Sequence, residues 1–121
     1  MKKILITGSL LMALAVLLGA FGAHALKSIL TPSMLVTYHT GVEYQFYHSI
    51  GLLIIGLAGY HVQNKWINWA AILLVTGVVL FSGSLYFLTL TGIKGVGMIT
   101  PIGGLAFMAG WVCLAVAFWK R

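Results

Sequence analysis

Four long apolar runs, separated by short polar connections, dominate the sequence of this 121-residue chain. Hydrophobic residues make up 61% of it and charged residues only 7%, whereas soluble domains carry about 25% charged residues. So few charges cannot provide a folded chain with a surface that water solvates, so lipid must be the solvent for most of that surface. The sequence therefore predicts an integral membrane protein.

The apolar runs predict transmembrane helices, because a backbone in hydrocarbon must satisfy its own hydrogen bonds and about 20 helical residues cross the bilayer. We expect four spans, at residues 4–23, 44–62, 66–90 and 96–119. Thr31 followed by Pro32 is typical of a helix start, which predicts an interfacial helix over 32–43 that could continue into the second span. The expected fold class is an all-α membrane protein, a four-span transmembrane helix bundle forming a single domain.

The first run has a second interpretation. Lys2 and Lys3, the apolar run after them and the sequence Ala23-His24-Ala25 resemble a secretory signal with its cleavage site. The apolar stretch is about 18 residues long, however, whereas the hydrophobic region of a signal has about 7–15. We therefore interpret it as the first span.

The basic residues predict the orientation of the bundle. Four spans place both termini on one side of the membrane, and that side would carry Lys2, Lys3, Lys65, Lys120 and Arg121, whereas the other would carry Lys27 and Lys94. The positive-inside rule then places both termini in the cytoplasm. Although the net charge of +6 could suggest a nucleic-acid partner, the basic residues form no patch interleaved with aromatic residues. We expect no nucleic-acid binding.

With this orientation, the polar side chains of the spans concentrate toward the outer face. A polar group inside a membrane is costly unless it faces a partner or a water-filled cavity, so we predict one outward-facing polar pocket. Its candidate residues are His24, His39, Glu43, Tyr44, Gln45, His48, Ser82, Ser84, Tyr86 and Thr100. The alternative is that these side chains only tie the helices together by hydrogen bonds.

Catalytic chemistry has little support in the sequence. There is no nucleophile elbow, no pair of metal ligands at helical spacing and no phosphate-binding glycine loop, and the single cysteine, Cys113, excludes a cysteine-based zinc site. Glu43, the only acid, could be solvated, paired with Lys27 or His39, or functional. His48 could be a packing histidine or a proton relay. We expect no enzyme, cofactor or metal; acid–base use of Glu43 and His48 is the enzymatic alternative.

Small residues at helical spacing suggest that the helices make close contacts. Ala15, Gly19 and Ala23 lie four apart in the first span, and Ala106 and Gly110 do so in the fourth. Besides contacts with membrane lipids, we expect a homo-oligomer or a small subunit of a larger membrane complex. The leading hypothesis is a non-enzymatic binding or scaffold protein whose pocket holds a lipid headgroup or a partner helix. The alternative is an oligomeric channel or carrier for a proton or small solute.

Four blocks of the sequence resemble a known family. They are GAFGAHAL from residue 19, GVEYQFYH from residue 41, LFSGSLY from residue 80, and ITPIGG from residue 99 followed by Gly110-Trp111. In this order, and over essentially the whole chain, they resemble the small bacterial membrane proteins catalogued as domain of unknown function 423, which are similar to a small eukaryotic transmembrane protein family. The resemblance implies a four-span inner-membrane protein and carries no activity with it.

Overall fold

The computed structural model describes residues 1–121 and is helical throughout, with no strand. Its helices are α1 (Lys2–His24), α2 (Pro32–Ala58), α3 (Lys65–Gly77), α4 (Gly83–Thr91) and α5 (Thr100–Trp119). A π-helical turn over Val78–Ser82 joins α3 to α4, and short 3₁₀ turns over Leu26–Ser28 and Lys94–Met98 precede α2 and α5. The prediction of an all-α fold is confirmed.

Three helical segments are long and apolar enough to cross a membrane: Lys2–His24, Lys65–Thr91 and Lys94–Trp119. The middle one combines α3, the π-helical turn and α4. Helix α2 has 27 residues, which correspond to about 40 Å at 1.5 Å per residue. It is therefore long enough to cross as well, but Glu43, Gln45 and His48 lie in its central part.

Helix α2 begins where the sequence predicts but does not divide. The Thr31 hydroxyl accepts a hydrogen bond from the Met34 backbone N–H at 3.2 Å, and Pro32 occupies the first helical turn. The helix then runs unbroken to Ala58, in agreement with the expectation that a helix starting at Pro32 could continue into the second span. The reason is packing, because Tyr38 already contacts α1 and donates a hydrogen bond to the Leu18 carbonyl at 2.6 Å.

Helices α1 and α2 form an antiparallel pair that approaches closely at small residues. The buried residues of α1 are Gly8, Ala15 and Gly22, which lie seven apart on one face. A Cβ at Gly22 would lie 2.5 Å from the ring of Tyr38. Of the small residues expected on this face, Ala15 is buried and Gly19 faces Val42, whereas Ala23 is exposed. The small residues of α1 therefore serve contacts within the chain.

The helices of the second half of the chain also pack closely. Helix α5 lies along α3, and the Asn64 side-chain amide donates a hydrogen bond to the Ala117 carbonyl at 3.1 Å. Gly110 faces Leu74, whose side chain a Cβ there would meet at 2.7 Å. The apolar core lies mainly at the end of the bundle that carries the termini. Its larger side chains are Leu52, Ile55, Ile67, Leu74, Val78, Phe107 and Leu114.

Candidate functional site

Gln45 is the centre of the polar cluster inside the bundle, with only 1% of its surface exposed. Its Nε2 donates a hydrogen bond to the Leu11 carbonyl at 2.8 Å, and its Oε1 accepts one from the Tyr86 hydroxyl at 2.6 Å. Since Leu11 belongs to α1, Gln45 to α2 and Tyr86 to α4, a single amide links three helices. Both the donor and the acceptor group of the amide are therefore hydrogen-bonded.

Further polar contacts surround this amide. Ser82, which is fully buried, donates a hydrogen bond to the Gly41 carbonyl at 2.6 Å. The Tyr86 ring packs over Gly41, where a Cβ would lie 2.9 Å from it, and its centroid is 5.5 Å from that of Tyr38. Tyr38 is the member of the cluster that the sequence analysis missed. Its position seven residues before Gln45, on the same helix face, could have revealed it.

A second hydrogen-bonded pair joins α4 to the start of α5. The Ser84 hydroxyl donates to the Phe81 carbonyl at 2.9 Å and is also bonded to the Thr100 hydroxyl. No hydrogen bond connects this pair to the cluster around Gln45. The predicted polar residues therefore form separate bonds between helices and do not make one continuous layer.

His48 packs against aromatic rings. Its ring lies parallel to that of Phe107, with centroids 3.6 Å apart, and close to Trp111. Its Nδ1 is 2.7 Å from the Tyr44 carbonyl, to which it donates when that nitrogen carries the hydrogen. With 6% of its surface exposed, His48 joins α2 to α5. The structure favours the packing interpretation of this histidine.

The remaining candidate residues lie at the surface. His24 and Glu43 are exposed, and His39 is half-buried with its ring edge-to-face against Tyr38. The Tyr44 ring is partly exposed and contacts Phe81, with centroids 4.5 Å apart. No buried side-chain nitrogen or oxygen lacks a hydrogen-bond partner. The buried polar groups are therefore satisfied by the protein itself.

Glu43 carries the only acidic side chain of α2. It is exposed, and no hydrogen bond or ion pair within the chain engages its carboxylate. Its neighbours on the same side of α2 are exposed apolar or aromatic residues; with them it forms what we call the Glu43 face, consisting of Val36, Glu43, Tyr47, Ile50, Ile54 and Leu57. This face points away from every other helix of the chain, and Glu43 lies near its middle.

The two main clefts of the molecule lie at the end that carries the termini. One is a groove of about 310 Å³, lined by Lys3, Ile4, Thr7, Leu52, Ala71, Ile72, Val75 and Thr76. The other, of about 350 Å³, is lined by Met1, Gly59, Gln63, Asn64, Ile67 and Asn68. Neither contains any of the ten residues predicted to form a pocket. No three His, Cys, Asp or Glu side chains converge as metal ligands would.

A helical bundle with an apolar surface and internally satisfied polar groups defines a multi-pass integral membrane protein. The chain belongs to the family described as protein of unknown function (DUF423), whose model matches residues 18–104. It is 48% identical over 120 residues to a UPF0382 membrane protein of Staphylococcus haemolyticus, covering 99% of this chain and 98% of the relative.

Two further relatives support the same placement. The UPF0382 membrane protein YwdK of Bacillus subtilis is 42% identical over 118 residues, covering 97% of this chain and 96% of the relative. The UPF0382 inner membrane protein YgdD of Escherichia coli is 40% identical over 101 residues, covering 84% of this chain and 77% of the relative. No solved structure matches the chain. The family resemblance and the location in the bacterial inner membrane are confirmed.

Proposed function

We propose that this protein is a non-enzymatic scaffold or binding protein that associates with other helices inside the membrane through its Glu43 face. The observation that carries the proposal is the bare carboxyl group of Glu43 in the middle of α2. A charged side chain at the centre of a membrane helix costs about 2.5–3.5 kcal/mol by insertion scales, and such residues almost always face a bundle interior or a cavity. A partner helix on the Glu43 face removes this cost.

The partner that fits best is a second copy of the chain. Glu43 is a hydrogen-bond acceptor when ionised, and donors lie one helical turn away on each side, at His39 and Tyr47. A two-fold contact places the same patch against itself, so each Glu43 can reach His39 or Tyr47 of the other copy. A homo-oligomer follows; a small subunit of a larger complex would need a foreign helix with a donor at that depth.

The geometry supports binding over the alternatives. The core at the end of the bundle with the termini is apolar and offers no polar path for a proton or small solute, so a channel or carrier would have to conduct between copies. Glu43 and His48 project from different sides of α2, one exposed and the other stacked on Phe107. This separation argues against their use as a catalytic acid and base.

We also propose that α2 crosses the membrane, which gives four spans with both termini cytoplasmic. Its antiparallel packing on α1 supports this, because contacts extend from Tyr38 beside Leu18 to Gly56 beside Leu5. Two helices that pack along this length occupy the same depth of the membrane.

Cysteine labelling tests this topology in a Cys113→Ala background. We expect a membrane-impermeant maleimide to label Lys27→Cys and Lys94→Cys in intact cells, and Lys65→Cys only after lysis. If α2 did not cross the membrane, Lys27 and Lys65 would lie on the same side. Labelling of Lys65→Cys in intact cells would therefore contradict the four-span arrangement.

Cross-linking in the same background tests association through the Glu43 face. Ile50 lies on this face, and Ile6, which is also exposed, lies at a similar depth on α1. We expect Ile50→Cys to form a disulfide-linked dimer on oxidation in native membranes and Ile6→Cys to remain monomeric. Equal dimer yields would indicate random collision and count against the interface.

Substitution of Glu43 tests the hydrogen bond itself. Glu43→Leu is expected to weaken the dimer in detergent by about 1–2 kcal/mol, the range measured for polar contacts in model membrane helices. Glu43→Gln should retain most of the affinity, because an amide still bonds to His39 or Tyr47. Analytical ultracentrifugation measures both variants. An unchanged monomer with no co-purifying protein in the wild type would exclude both the homo-oligomer and the larger complex.

A further inference from the structure

The groove between α1 and α3 has the shape and chemistry of a lipid site. Its floor is formed by Leu52 of α2 and Ala71 of α3, and Lys3 lies at its end near the termini. We propose that this groove binds one anionic phospholipid from the leaflet at that end, with the phosphate at Lys3 and the start of an acyl chain in the groove. This site is separate from the Glu43 face and does not depend on it.

The walls of the groove are apolar in effect, although two threonines contribute to them. The Thr7 hydroxyl donates to the Lys3 carbonyl at 2.8 Å, and the Thr76 hydroxyl donates to the Ile72 carbonyl at 2.8 Å. Both hydroxyls are therefore used within their own helices. An acyl chain needs no hydrogen bond from such a surface, whereas a polar solute would find no free hydroxyl donor in these walls.

The charge at this end of the bundle is uniformly positive. The basic residues are Lys2, Lys3, Lys65, Lys120 and Arg121, and the only acid of the chain lies elsewhere, at Glu43. The amino groups of Lys65 and Lys120 lie 5.2 and 5.8 Å from the Trp66 ring centroid, which brings charges from two helices together. Lys3 has no carboxylate partner. Basic sites between helices at a membrane surface bind anionic headgroups.

The groove of about 310 Å³ has a basic end at Lys3 and is lined mainly by apolar side chains elsewhere. A free phosphate would occupy only the Lys3 end and leave the apolar part unfilled. An acyl chain attached to a phosphate uses both parts.

Native mass spectrometry of the full chain tests the charged end of the site. Released from micelles that contain equal amounts of phosphatidylglycerol and phosphatidylcholine, the protein should retain one phosphatidylglycerol per chain. We expect Lys3→Gln to weaken this retention about fivefold, the effect of one basic residue near an anionic membrane surface, and Lys94→Gln at the opposite end to leave it unchanged. An equal loss with Lys2→Gln would mean a diffuse basic surface and would overturn the proposal.

A second pair of variants tests the apolar part. Thr76→Phe fills the groove and should abolish retention, whereas Val79→Phe, on the exposed surface of the neighbouring turn, should not. If both variants retain the lipid equally, the acyl chain does not lie in the groove and the proposal fails. If Thr76→Phe leaves lipid retention unchanged but releases a co-purifying protein, the occupant is a protein partner and not a lipid.

Discussion

Gly103→Ala is expected to destabilise the fold by about 2–3 kcal/mol relative to Gly104→Ala, the upper part of the range for overpacking a core. A Cβ at Gly103 would lie 2.8 Å from the carbonyl carbon of Leu80 and 2.8 Å from Cα of Phe81. These are backbone atoms, which cannot rotate away as a side chain could. At Gly104 the nearest atom is in the Phe81 side chain at 3.9 Å, an ordinary contact.

The two neighbouring glycines are a matched pair, because both gain the same helix propensity on replacement by alanine. Unfolding in detergent, followed by circular dichroism, measures the difference. Gly103 packs against the π-helical turn, in which the Gly83 N–H bonds to the Val78 carbonyl and the backbone bulges toward α5. Equal stability of the two variants would show that α5 does not approach this turn so closely.

Gln45→Leu is expected to destabilise the bundle by about 1–3 kcal/mol, the cost of a buried donor or acceptor left without a partner. The substitution removes the acceptor of the half-buried Tyr86 hydroxyl. Tyr86→Phe removes that hydroxyl, so the double variant should be more stable than the sum of the two single losses predicts. Polar pairs between membrane helices have coupling energies of about 0.6 kcal/mol on average and up to about 1.7 kcal/mol. For Gln45 and Tyr86 we expect a coupling energy near the upper end of this range.

Gln45→Leu, Tyr86→Phe, the double variant and the wild type form a double-mutant cycle. Thermal unfolding of these four proteins in one detergent gives the coupling energy. Thr91→Val is a suitable control, because the exposed Thr91 hydroxyl donates to the Phe87 carbonyl of its own helix and accepts from the nearby Ile93 N–H, but bonds to no other helix. Strict additivity of Gln45→Leu and Tyr86→Phe would contradict the hydrogen bond between them. A control loss as large as that of Gln45→Leu would mean that the assay reports helix content and not packing between helices.

Several features follow from local sequence alone. The apolar runs determine that the chain is helical in a membrane, because no other backbone conformation satisfies its hydrogen bonds there without a closed barrel. Thr31 and Pro32 determine where α2 begins, since capping depends only on neighbouring residues. The four sequence blocks also place the chain in its family, which the match over residues 18–104 confirms.

The direction in which each polar side chain points is decided only by the tertiary structure. Gln45 is buried between three helices, whereas Glu43, two residues earlier, faces outward. Gly103 meets a backbone, whereas Gly104 does not. In a soluble protein, the apolar side of a helix marks the core. Here lipid and core are both apolar, so hydrophobicity does not distinguish the two sides of a helix, and only the contacts between helices determine which side is buried.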